Sequence, residues 1–224
     1  LQCTPLAPSA DQFIVDFDAI ERLSAINPPP ETYTKAAETP SETATALCRL
    51  AKAKPETVRV SSIFTLLERD LESRFGEERA MKALRRVAAS RPEECPPAIP
   101  ILASFLEEGE FTAAGEALQA LRYIGANSPE EIAPVADTIK PYLESNIVTV
   151  RREAARCLVL IADDHPDDVV DVVGELAQVV LDGSDGQEAA VVALSKVSRG
   201  FPGEVESVAD TLGSVALDPS VSDK

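Results

Sequence analysis

Pro55, Pro92, Pro129, Pro166 and Pro202 follow one another at intervals of 37, 37, 37 and 36 residues. A period of this length, kept over most of a chain, marks a stack of supersecondary units that each bury an apolar face against the next. The columns around the prolines carry the same period in their chemistry. Eight residues before each proline stands a leucine (Leu47, Leu84, Leu121, Leu158, Leu194), and nine before stands a small residue (Ala46, Ala83, Ala120, Cys157, Ala193). Five before come Leu50, Val87, Ile124, Ile161 and Val197; four before come Ala51, Ala88, Gly125, Ala162 and Ser198. Twelve before, Thr43, Ala80, Ala117, Ala154 and Ala190 form a further small column.

Positions −12, −9, −8, −5 and −4 share one face of a helix of 3.6-residue period, with small residues where a neighbouring helix has to come close. This is helix A of each unit. Beyond the proline a second apolar stripe runs through +3 (Val58, Cys95, Ile132, Val169, Val205), +6 (Ser61, Ala98, Val135, Val172, Val208) and +10 (Thr65, Leu102, Ile139, Leu176, Leu212), which predicts helix B. Proline suits a first helical turn, where its missing N–H costs nothing, and the acids after Pro92, Pro129 and Pro166 suit the positive end of the helix dipole. Each unit is therefore expected to be an antiparallel helix hairpin, about 40–72, 76–108, 112–145, 148–182 and 186–217. Anchored on Pro28, the register places another helix A at 12–27, so residues 1–39 are predicted to form an atypical N-terminal cap and 218–224 a frayed tail.

Composition agrees with an all-α chain. The sequence of 224 residues is 45% hydrophobic but only 4% aromatic, with no Trp, a mixture suited to close-packed helices better than to strands. No segment reaches the roughly 18–20 consecutive apolar residues of a membrane span, so a soluble, cytoplasmic protein without membrane contact is expected. The formal charge is −17, which disfavours phosphate backbones and anionic lipid as partners. Arg outnumbers Lys 14 to 7, and this acidic, lysine-poor balance resembles proteins of salt-loving organisms. Four dispersed cysteines (Cys3, Cys48, Cys95, Cys157) and one histidine give neither a zinc pattern nor a disulfide framework, and predict reduced thiols.

The two-helix unit resembles the HEAT repeat. The unit opening at Val150-Arg151 and continuing through Ala154-Ala155, Leu158, Ile161-Ala162 and Pro166 is the most similar. Others depart from the valine-arginine step, at Gly76-Glu77, Ala113-Ala114 and Gly186-Gln187. The resemblance covers about residues 40–217 and implies a right-handed α–α superhelix of about five hairpins. Armadillo repeats are the nearest alternative but usually carry a third short helix for which these units have little room.

Catalytic constellations are sparse. His165 stands in Asp163-Asp164-His165-Pro166-Asp167-Asp168, which reads as the turn between helices A and B with carboxylates at a helix start, in preference to a metal cluster. Asp182-Gly183-Ser184-Asp185-Gly186 has its glycine one place early for a calcium loop and lacks the closing Glu, so it reads as an inter-repeat turn. No phosphate-cradling or nucleophile-elbow motif occurs. No active site, metal or cofactor is expected.

The basic residues have more shape. Residues 46–91 hold 11 Lys or Arg against 6 Asp or Glu, while residues 92–224 hold 8 against 25. Arg49, Lys82, Arg85, Arg86, Arg122, Arg156 and Lys196 share the helix A face away from the core, which predicts either a docking stripe for an acidic partner or plain dipole compensation. Helix B of the first unit adds Val60, Ile63, Phe64 and Leu67 outside its core stripe, an apolar excess to be covered by the N-terminal segment or by a partner. HEAT-like solenoids line their concave surface with B helices, so the resemblance implies that Arg59, Ile63, Asp137, Lys140 and Gln178 face a bound protein. The expected function is a non-catalytic protein-binding scaffold. The alternatives are an enzyme or enzyme accessory of HEAT-like fold, such as a DNA-base-processing glycosylase or a bilin-lyase relative, or one piece of a larger HEAT assembly. A glycosylase of this type is expected to have a basic, aromatic-lined groove, which so few aromatics do not supply.

Overall fold

A proline pushes the residue before it out of the α-helical region, and this local rule repeats at every unit of the chain. In the computed structural model, which describes residues 40–67, 74–108, 111–183 and 186–216, the five pre-proline residues adopt nearly one conformation. Their φ/ψ values are −147/72° at Lys54, −141/65° at Arg91, −146/81° at Ser128, −130/60° at His165 and −131/63° at Phe201. At four of these the backbone N–H closes the preceding helix by donating to the carbonyl four residues back: Lys54 to Leu50, Ser128 to Ile124, His165 to Ile161 and Phe201 to Val197. The proline period is thus a period of the backbone.

The described residues are helical, with no strand among them. Contacts divide the chain into two units, 1–90 and 91–224, a division inside the second predicted hairpin. The first unit contains α1 (Pro40–Ala53), a 3₁₀ turn (Pro55–Thr57), α2 (Val60–Leu67) and α3 (Arg74–Ser90). Here α1 packs along α3 and α2 closes on both, burying Leu47, Ala51, Val58, Ile63, Leu66, Leu84 and Val87. The cap expected at 1–39 and the tail at 218–224 lie outside the described residues.

The second unit holds α4 (Ile99–Glu107), α5 (Phe111–Asn127), α6 (Pro129–Ile132), α7 (Ala136–Ile139), α8 (Val148–Asp164), α9 (Val173–Leu181), α10 (Gln187–Gly200) and α11 (Pro202–Ala216). The A helices α5, α8 and α10 pack in succession with α8 in the middle, and the B segments lie against them. Leu121 and Leu158 are completely buried and Leu194 nearly so. The small columns sit beneath them: Ala117, Ala154 and Ala190 at −12, and Ala120, Cys157 and Ala193 at −9, are all without exposed surface.

Helix B departs from the expectation of one continuous helix in every unit but the last, where α11 (Pro202–Ala216) runs unbroken. After Pro92 it begins as two 3₁₀ turns (Pro92–Glu94, Pro96–Ala98), and after Pro129 it is broken into α6, a turn (Ala133–Val135), α7 and a second turn (Lys140–Glu144). Further prolines at 96, 97, 100, 134 and 141 remove N–H donors and crowd the preceding turn. After Pro166 the interruption at Val170–Val172 falls instead in a β-branched run, whose side chains are restricted in a helix. Ser61, assigned to the core stripe, is exposed.

Candidate partner-binding surface

Part of the basic face of the A helices is occupied by contacts between neighbouring helices. In the first unit, Arg86 Nη1 of α3 donates to the Cys48 carbonyl of α1 at 2.6 Å and lies 3.0 Å from its Sγ. Arg79 reaches Thr45 Oγ1 and Lys82 pairs with Glu78. In the second unit, Lys196 Nζ of α10 donates to the Val159 carbonyl of α8 at 3.1 Å and pairs with Asp163 at the same distance. Arg86 and Lys196 hold the same register position, −6, and each reaches the carbonyl at −7 of the preceding A helix. A cation placed there ties one repeat to the one before it.

Arg49 and Arg59 are exposed, and Arg85 is half-buried. Ile63 corrects the expectation that it faces a partner: it is completely buried, because α2 lies against α1 and α3 with that side chain inward. Phe64 is half-buried. On the B side, Lys140 keeps only 12% of its side chain exposed and bridges Asp137 at 2.6 Å and Asp171 of the next unit at 2.9 Å. Burial alone would ease loss of its proton, but hydrogen bonds from Nζ to the two carboxylates outweigh that and raise its pKa. Tyr142 O–H donates to the Leu106 carbonyl at 2.6 Å, and burial raises its pKa as well. These B-side groups join consecutive repeats to one another.

Around Glu153 the cations converge. Its side chain on α8 is 2% exposed, with Oε2 at 2.9 Å from Arg122 Nε of α5, and Oε1 at 3.0 Å from Arg152 Nε and 3.2 Å from Arg156 Nη1. Both oxygens are used, as a buried carboxylate requires. The Arg122 guanidinium also lies over the Tyr123 ring, 4.3 Å from its centroid, a cation–π distance. In the sequence Glu153 is an acid near the start of a helix A, with no motif around it. The available signal was its position at −13, one turn before the core position −9, beside the run Arg151-Arg152.

Next to this cluster a groove of about 360 Å³ crosses the three A helices, lined by Arg122 and Ala126 from α5, Arg156, Val159 and Leu160 from α8, and Glu188, Ala189 and Val192 from α10. Arg122 is 25% exposed and Arg156 44%. Val191 and Val192 are 48% and 39% exposed. The groove brings together two residues of the expected stripe, Arg122 and Arg156, and adds an apolar side that the stripe lacked.

No group of three or more His, Cys, Asp or Glu arranged to hold a metal occurs among the described residues, and no described helix is long and apolar enough to cross a membrane. Gly183 takes a φ of 59°, which glycine adopts without strain. The neighbouring Asp182 carboxylate accepts from Gln178 at 3.1 Å and lies 3.6 Å from Arg151. Cys157 Sγ donates to the Leu118 carbonyl at 3.3 Å.

No model of a known protein family matches the chain, and no curated protein matches it. Among solved structures, the chain is similar to an engineered protein crystallised by the Northeast Structural Genomics Consortium. The TM-score is 0.63 at 22% identity, over 88% of this chain and 86% of that one. This likeness concerns the fold, and the fold is all-α.

Proposed function

We propose that the chain is a non-catalytic interaction module, a HEAT-like stack of helical hairpins that holds another protein on the outer face of its A helices. The observation that supports this reading most is the groove over α5, α8 and α10, where exposed apolar side chains meet two partly exposed arginines. Contiguous apolar surface rimmed by polar groups is what recognition of another macromolecule uses. The other cationic positions support the reading indirectly. Arg86, Lys140 and Lys196 are engaged between helices, whereas Arg122 and Arg156 line an apolar groove.

Capture on the immobilised chain, identification of what is retained, and titration of the purified protein against the chain by calorimetry tests this. A one-to-one saturable isotherm is expected. If no captured protein binds once repurified, the module reading fails.

A further inference from the structure

We infer that the groove over α5, α8 and α10 receives a short acidic–aliphatic peptide segment of a partner protein, with an Asp or Glu carboxylate on Arg156 and Arg122 and a neighbouring Leu, Ile or Val against Val159 and Val192. The inference rests on the interaction-module reading and names the chemistry of its ligand.

Charge is the first argument. Residues 92–224 carry 8 bases against 25 acids, yet three of those bases, Arg122, Arg152 and Arg156, converge on the single carboxylate of Glu153. Arg122 and Arg156 both line the groove and share that carboxylate, so Glu153 can neutralise only one of the two. Arg156 gives Glu153 only one nitrogen, Nη1, and nearly half of its side chain is exposed. A guanidinium carries five N–H donors in a planar fork, so Arg156 retains donors for a second carboxylate. Glu153 holds one terminal nitrogen of that fork, which lowers the ordering cost of binding.

The groove is also polarised. Arg122 and Arg156 lie on its α5 and α8 side, whereas Val192 on α10 supplies an apolar side, with Val159 and Leu160 between. Glu188 on the α10 side repels a carboxylate there and so fixes which end of a ligand goes where. Two adjacent exposed valines, Val191 and Val192, are weak helix formers, so propensity does not account for them. A volume of about 360 Å³ is at the small end for a ligand site and suits a few side chains of one segment.

Selection of phage-displayed dodecapeptides on the full chain, followed by fluorescence anisotropy with the synthesised consensus peptide, tests the assignment. The consensus is expected to pair Asp or Glu with Leu, Ile or Val. Arg156→Gln and Val192→Asp, both at exposed positions and checked for unchanged helicity, should each weaken binding about tenfold or more. Replacing the peptide's acid by its amide should do the same. A consensus without acids, or affinity that neither variant alters, overturns the groove assignment. Competition by free isovalerate at the peptide's own concentration also overturns it, by identifying a small-carboxylate site. If a purified protein partner binds both variants as it binds the parent chain, the groove is refuted while the module reading stands. If no protein partner binds at all, the module reading is what fails.

Discussion

Gly115 and Gly125 lie on the same helix, α5, and replacing each by Ala is expected to move stability in opposite directions. Glycine inside a helix costs about 0.5–1 kcal/mol relative to alanine, chiefly through backbone entropy. At Gly115 an added Cβ meets nothing closer than Val150 Cγ2 at 3.7 Å, ordinary van der Waals distance, so the full gain of about 1 kcal/mol should appear. At Gly125 the same atom falls 2.2 Å from Ile132 Cδ1 and 2.8 Å from its Cγ1. Carbon atoms settle at about 3.5–4.0 Å, so Ile132 has to move by more than about 1 Å. It has no exposed surface, and Leu160 Cδ1 at 3.4 Å borders the same space. Overpacking of this kind costs about 1–3 kcal/mol, which leaves Gly125→Ala net destabilising by about 0.5–2 kcal/mol. Urea unfolding followed by circular dichroism at 222 nm reads both. With an m-value of about 2 kcal/mol/M, Gly115→Ala should raise the midpoint of the unit containing both residues by about 0.5 M, and Gly125→Ala should lower it. Adding Ile132→Val to Gly125→Ala removes Cδ1, so the double variant should be more stable than the sum of the singles. If Gly125→Ala stabilises as much as Gly115→Ala, the claim that the −4 column is small because a neighbour sits on it is wrong.

Glu153→Gln should destabilise the second unit by about 1–3 kcal/mol, since three partly exposed guanidiniums lose their shared charge and relax toward water; thermal unfolding measures it, and an unchanged midpoint would mean that the cluster is neutral. Burial raises the Cys95 thiol from 9.0 to about 11, against a smaller lowering by Arg91. Between those pH values the unfolded chain has lost a proton that the native state keeps, so stability falls as pH rises, by about 1.4 kcal/mol per pH unit for this group. In Cys95→Ala the fall of the urea midpoint from pH 9 to 11 should be shallower, and a parallel fall would exclude Cys95 as a contributor. In a Cys3→Ser background, Cys48, half-buried beside Arg86, should react with an aromatic disulfide at pH 8. Cys95 and the deeply buried Cys157, whose pKa burial also raises, should react only on unfolding; three equally fast thiols would contradict the burial described.

The core was readable because it obeys a local rule repeated five times. A leucine at −8 flanked by small residues at −9 and −12 has few ways to bury itself except against a neighbouring A helix, and repetition separates that signal from chance. The same reasoning failed on helix B in every unit but the last. A stripe at +3, +6 and +10 fixes which side faces inward, but it does not report whether the backbone between those positions keeps α-helical hydrogen bonds. Pro96, Pro97, Pro100, Pro134 and Pro141 do report it, and their effect is visible in the 3₁₀ turns. Ile63 shows a related limit. Its position off the stripe made it a candidate for a partner, whereas a short helix closed on by two others buries more than one face.

The basic face was harder to read, because register gives direction from the helix and not reach across it. Arginine and lysine side chains are long enough to span to the next helix, so the same spacing serves a docking stripe and an internal brace equally well. Distances separate the two. Arg86 and Lys196 each end on a carbonyl of the preceding A helix, and a cation so committed has little to offer a ligand. Arg122 and Arg156 also end on a protein group, but they share it. Glu153 alone cannot neutralise both Arg122 and Arg156, and Arg156, which gives it one nitrogen, keeps exposed donors that a packing brace does not need. What Glu153 leaves over can be met by Glu188 in the same groove, by solvent ions or by an anion delivered from outside. The apolar groove beside it favours an anion carried on a chain with something to bury.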